Sequence, residues 1–149
     1  MGDISKNFSY IEFERSATAD RLGIDNSLPP EARERVKELV EGLLQPLRDA
    51  WGGPITVTSG YRCDALNKAV KGSATSAHTC GWAADLVPRN GTITEFFDFT
   101  ERWLRRDGRQ FDQCIREVNR AGTSRWLHLG FKDREGRQRR QFLALVANK

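Results

Sequence analysis

The chain has two histidines, His78 and His128, and each sits in a segment that reads as half of one metal site. The first segment, S-A-H-T-C-G-W-A-A-D-L-V from Ser76 to Val87, places Asp85 downstream of His78. The second, R-W-L-H-L-G-F from Arg125 to Phe131, alternates apolar and polar residues around His128. Two imidazoles and one carboxylate are a common ligand set for a zinc ion that keeps a fourth position open for water, an arrangement suited to hydrolysis.

Asp85 is flanked by Ala83, Ala84, Leu86 and Val87, so the backbone around it is expected to be buried. A buried carboxylate left unpaired costs several kcal/mol and needs a cation or several hydrogen bonds. No Lys or Arg lies between Lys71 and Arg89, which leaves a divalent metal or a distant arginine. In a strand through His128, Trp126 and Gly130 share its face, while Leu127, Leu129 and Phe131 share the other. The second face would pack on helices, so His128 looks the opposite way, with Gly130 leaving room for a ligand. Gly81 permits the turn that His78 and Asp85 need in order to reach one ion.

Several elements must hold these residues. Pro29 and Pro30 open a helix in which Val36, Leu39, Val40, Leu43, Leu44 and Leu47 recur at helical spacing. Trp51-Gly52-Gly53-Pro54 ends it. Ile55 to Thr58 reads as a strand, Asp64 to Val70 as a short helix, and Ala83 to Val87 as a core strand carrying Asp85. Thr92 and Glu95 form a capping box for a helix along Ile93, Phe96, Phe97, Thr100 and Leu104, with Gly108 as its stop. Strands follow over Phe111 to Val118, Arg125 to Phe131 and Gln141 to Val146, and the Glu135-Gly136 turn suggests a hairpin between the last two. With helices early and strands late, the fold class is α+β: one domain over residues 1–149, with a mainly antiparallel sheet and helices packed on one face.

At 149 residues, 38% hydrophobic and 30% charged, the chain is large enough for one core. It has no apolar run long enough for a transmembrane helix, and its start lacks the basic-then-apolar pattern of a secretory signal, so synthesis and folding in the cytoplasm are expected. Cys63, Cys80 and Cys114 are an odd number without a C-x-x-C pair and make no disulfide framework. Cys80 lies close enough to His78 to be considered as a ligand, but Asp85 is the better candidate, and Cys80 reads as a small buried hydrophobe. The net charge of +4 suits a polyanionic partner, nucleic acid or an acidic wall polymer. The basic residues Arg102, Arg105, Arg106 and those from Lys132 to Arg140 lack the aromatic interleaving of single-strand binders, so a solvated face is preferred to a nucleic-acid surface.

Three segments together, S-G-Y-R at Ser59 to Arg62, S-A-H-T-C-G-W-A-A-D at Ser76 to Asp85 and W-L-H at Trp126 to His128, resemble the zinc D-alanyl-D-alanine carboxypeptidase-type peptidases. That group includes cell-wall carboxypeptidases, D,D-dipeptidases and phage endolysins. The resemblance runs from about Phe8 to Phe131 and is greatest to a subgroup common in phage. It implies a small D-Ala-D-Ala carboxypeptidase/hedgehog-like α+β domain with zinc held by His78, Asp85 and His128. It also implies that Arg62 stabilises a substrate carbonyl or carboxylate and that Ser76 lines the site. Many members carry an acid three residues before the second zinc histidine as general base, and here that position is Arg125. Glu117 on the preceding strand is the substitute, with Asp112 as second candidate.

The expected activity is zinc-assisted amide hydrolysis in the stem peptide of peptidoglycan by a monomer, without nucleic-acid or membrane partners. With no visible signal peptide, a phage endolysin released by a pore protein fits this expectation. A non-catalytic zinc-bearing wall-binding or structural module on the same fold is the alternative, supported mainly by Arg125. A nucleic-acid-binding domain ranks last, since it leaves both histidine segments without a role.

Overall fold

Two short helices, α1 (Ile11–Glu14) and α2 (Ala17–Leu22), lead into a helical run that carries most of the apolar stripe. The computed structural model describes residues 2–147. The run comprises α3 (Pro30–Leu39), a wider π turn (Val40–Leu44) and α4 (Gln45–Trp51). Pro46 accounts for the wider turn: it has no N–H to offer and its ring crowds the carbonyl of Gly42, four residues back. Arg109 Nη1 donates to that carbonyl instead, at 3.1 Å. The stripe residues Val36, Leu39, Val40, Leu43, Leu44 and Leu47 are all fully buried, each worth roughly 1.5–3 kcal/mol of transfer from water.

After this run come β1 (Ile55–Ser59), α5 (Asp64–Ala69), a 3-10 turn (Ala77–Thr79) and β2 (Ala83–Pro88). Helix α6 (Ile93–Asp107) starts with the expected capping box, Glu95 N donating to Thr92 Oγ1 and Thr92 N to Glu95 Oε1, and ends at Gly108 in a left-handed conformation. The chain finishes with β3 (Gln113–Asn119), β4 (Arg125–Gly130) and β5 (Gln141–Ala147). No helix among the described residues is long and apolar enough to cross a membrane.

The five strands form one mixed sheet in the order β1-β2-β4-β3-β5. Strand β4 runs antiparallel to both β2 and β3, while β5 runs parallel to β3. The expected hairpin between the last two strands therefore does not form. Both edges of β4 are taken, so β5 crosses over and adds beside β3. Gly136 does turn, its N–H donating to the Asp133 carbonyl, but inside the crossover and not at a hairpin tip.

The register divides the sheet into two faces. Val57, Leu86 and Leu127 lie across from one another on β1, β2 and β4, and with Ala84 and Leu129 they face the cluster formed by α3, α4 and α6. Asp85, His128 and Ile115 align on the opposite face, with Glu117 two residues along β3 from Ile115.

Candidate metal centre

Asp85 on β2 is the register partner of His128 on β4, so a single antiparallel pairing brings two of the expected ligands side by side. His78 reaches the same point from the 3-10 turn. Ser76 caps that turn, its Oγ accepting from His78 N, and Gly81 then bends the chain with φ +91°. A Cβ on Gly81 would sit 2.9 Å from the Ala32 carbonyl, so both conformation and space require glycine. One potential ligand atom from each of His78, Asp85 and His128 lies within 4.8 Å of the others, and all three residues are buried. Cys80 is buried and stands outside this group.

The SGYR segment explains the orientation of His78. Gly60 passes so close to Phe13 that a Cβ would lie 2.6 Å from the Phe13 Cα, and Tyr61 N donates to the Phe13 carbonyl. The Gly60 carbonyl then sits 2.7 Å from His78 Nδ1. A carbonyl can only accept, so Nδ1 carries the proton. Burial, opposed by the Asp85 carboxylate, pushes the His78 imidazole down to about 4 from 6.5. The ring is therefore neutral near pH 7, with a single proton that Nδ1 already holds. His78 Nε2 presents a lone pair to Asp85 Oδ1 at 3.2 Å.

Two acceptors facing each other at that distance need a cation between them. His128 Nδ1 lies 3.3 Å from the same carboxylate oxygen. Donors bound to one tetrahedral zinc at about 2.0–2.1 Å are about 3.3–3.4 Å apart. The donor chemistry of the three side chains, and the spacing of each imidazole nitrogen from the Asp85 oxygen, thus fit a small divalent ion.

Two further groups flank this point. Arg62 is buried, with Nη2 3.8 Å from Asp85 Oδ2 and Nη1 donating to Asn67 Oδ1 at 3.0 Å. Burial lowers its pKa from the ordinary value, an effect opposed by the Asp85 and Glu117 carboxylates. Asn67 is held in turn by its own Nδ2, which donates to the Ser73 carbonyl. Glu117 Oε2 lies 3.8 Å from His128 Nδ1 and accepts from Trp126 Nε1 at 3.2 Å. Arg62, Ser76, His78, Glu117 and His128 line one cleft of about 440 Å³.

Asp112 also borders the cleft, but both its oxygens accept from the Arg139 guanidinium, at 2.7 and 2.8 Å. Arg125 lies three residues from His128, and an odd offset along a strand points to the opposite face. Its guanidinium stacks over Phe97 and donates to Thr94 Oγ1 on α6.

Sequence reasoning missed Asn67 and Asn26. Asn26 Nδ2 donates to the carbonyls of Glu14 and Tyr61 while its Oδ1 accepts from Cys63 N, pinning both ends of the Tyr61–Cys63 segment. A polar residue whose partners are remote backbone atoms leaves no local pattern to find. Residues 6–129 match the family model for peptidase M15, and the chain belongs to that family. No curated protein matches it.

Proposed function

We propose that this protein is a zinc-dependent peptidase that hydrolyses an amide bond in the peptidoglycan stem peptide, as a D,D- or L,D-type carboxypeptidase or endopeptidase. The observation that carries the reading is the opposed pair of lone pairs on His78 and Asp85, closed by His128 and flanked by a carboxylate and a guanidinium. A zinc ion held by His78, Asp85 and His128 would supply Lewis acidity toward a carbonyl and a water that is nucleophilic near neutral pH. Glu117, oriented by the Trp126 N–H, takes the proton from the attacking water and returns it to the leaving amine. Arg62, fixed by Asn67, offers its guanidinium to the oxyanion or to a peptide carboxylate. Ser76 lines the approach and holds the His78 turn.

Glu117 is preferred to Asp112 as the base because Arg139 already engages both Asp112 oxygens. Arg125, the main support for a non-catalytic zinc module, lies on the helix side of the sheet, over Phe97 and bonded to Thr94. The protein acts as a monomer on the bacterial wall, as a phage endolysin admitted by a pore protein. Neither nucleic acid nor membrane is a partner in this reading.

The test is digestion of purified peptidoglycan followed by mass spectrometry of the released peptides, which also identifies the bond. Cleavage should stop with a chelator and in His128→Ala. Cleavage that persists in both removes zinc from the mechanism.

A further inference from the structure

The cleft at the metal centre is lined unevenly. Asp112, Asp133 and Arg139 border it as a group tied together by ion pairs, whereas β5 contributes only Leu145, Val146 and Ala147. Strand β5 carries no charged residue from Gln141 to Ala147. Of the five exposed large apolar side chains among the described residues, three lie on it: Leu143, Leu145 and Val146. Exposed leucines scattered singly need no explanation, but a cluster on one strand beside a reactive centre does.

The register fixes where this apolar patch stands. Strands β3 and β5 run parallel, with Leu145 beside Glu117 and Leu143 beside Ile115. Residues paired in register share a face, so both leucines emerge on the face that carries Asp85, His128 and Glu117. Neighbouring strands lie about 4.8 Å apart, which puts Leu145 one strand beyond Glu117 and two beyond His128. All of β5 lies beyond residues 6–129, so this part of the cleft is one that the family match does not describe.

We infer that Leu145, flanked by Leu143, determines specificity by receiving an apolar side chain from the leaving part of the peptide substrate. The inference rests on the peptidase reading and sharpens it. Glu117 returns a proton to the leaving amine, so that nitrogen comes within hydrogen-bond reach of its carboxylate. The residue bearing the amine then lies over the next strand, where the surface is leucine. An apolar side chain arriving there takes both itself and Leu145 out of water. A polar side chain of the same shape gives up its own water and meets no hydrogen-bonding side chain from Phe142 to Ala147.

The test uses hexapeptides of alternating L- and D-alanine in which one position at a time becomes leucine or its polar isostere asparagine. Each is titrated calorimetrically into the full chain stripped of metal, so that no turnover occurs. At one position wild type should bind leucine about 10-fold more tightly than asparagine, the low end for a pocket contact because Leu145 is half exposed. Leu145→Asn should reduce that preference to about 2-fold or less while melting near the wild-type temperature, and Leu145→Met should preserve it. Equal binding at every position, binding of none, or an unchanged preference in Leu145→Asn each overturns the subsite. The zinc-loaded protein then receives the same peptides, and mass spectrometry locates the cuts. The preferred position should be the residue after the cut bond; one before it overturns the assignment to the leaving side. A preference without cleavage sinks the peptidase reading and keeps Leu145 as a binding residue, while cleavage without a preference does the reverse.

Discussion

Asp85 and Asp112 are both aspartates with 2% of their surface exposed, near the same cleft, yet they are stabilised in different ways. Asp112 receives a two-pronged guanidinium from Arg139 and also accepts from the Arg139 backbone N–H, an arrangement that fixes the crossover to β5. Asp85 lies 3.8 Å from the Arg62 guanidinium and faces two imidazole nitrogens at 3.2 and 3.3 Å. Equal burial therefore does not mean equal role. A carboxylate satisfied by arginine is a structural tie, whereas one set against a neutral imidazole is a place for a cation.

The largest expected effect separates these two residues. Asp85→Asn should lose stoichiometric zinc by metal analysis and lower peptidase activity by about 10³-fold or more. Asp112→Asn should keep its zinc and most of its activity but lose about 1–2 kcal/mol of stability in denaturant unfolding. If Asp112→Asn were the variant that lost metal, the assignment would be reversed. Next in size, Glu117→Gln should bind zinc normally yet lower kcat by about 10²–10³-fold, as expected for a general base; a change confined to KM would remove Glu117 from proton transfer.

The third expectation concerns acid. His78 has its pKa depressed from 6.5 to about 4, so below 6.5 the unfolded chain binds a proton that the folded metal-free protein refuses. Stability is full above pH 6.5 and should fall as pH drops toward 4, by roughly 2–3 kcal/mol. Unfolding of the metal-free protein at pH 7 and pH 4.5 measures the loss, and His78→Gln should flatten it. The smallest effect belongs to Arg125→Ala, which should alter kcat/KM by less than about 2-fold, because stacking over Phe97 contributes only about 0.5–1 kcal/mol at an exposed site.

Much of the metal centre was legible because its ligands obey local rules. The alternation around His128 fixed which face it occupies, Ala83 to Val87 announced a buried strand around Asp85, and Gly81 marked the bend between loop and strand. The capping box at Thr92 was equally local. What escaped was pairing between distant pieces. The apolar run from Phe142 to Val146 marks a strand but not its neighbour, so the turn at Gly136 suggests a hairpin with β4 where β3 has the free edge. The wider turn at Val40–Leu44 depends on Pro46 together with Arg109 from another element. Asn26 and Asn67 act through backbone atoms that only the folded chain brings near them.

The contact between the Gly60 carbonyl and His78 reaches further than the metal ligands themselves. Gly60 is packed on Phe13, and Asn26 pins the residues that follow it, so the amino-terminal helices set the direction in which one imidazole points. Trimming the protein back to α3 would leave His78, Asp85, His128, Glu117 and Arg62 in the chain, yet release the ring that aims at the candidate metal position. Minimal versions of this domain designed around its histidine segments alone would therefore be expected to grip metal loosely.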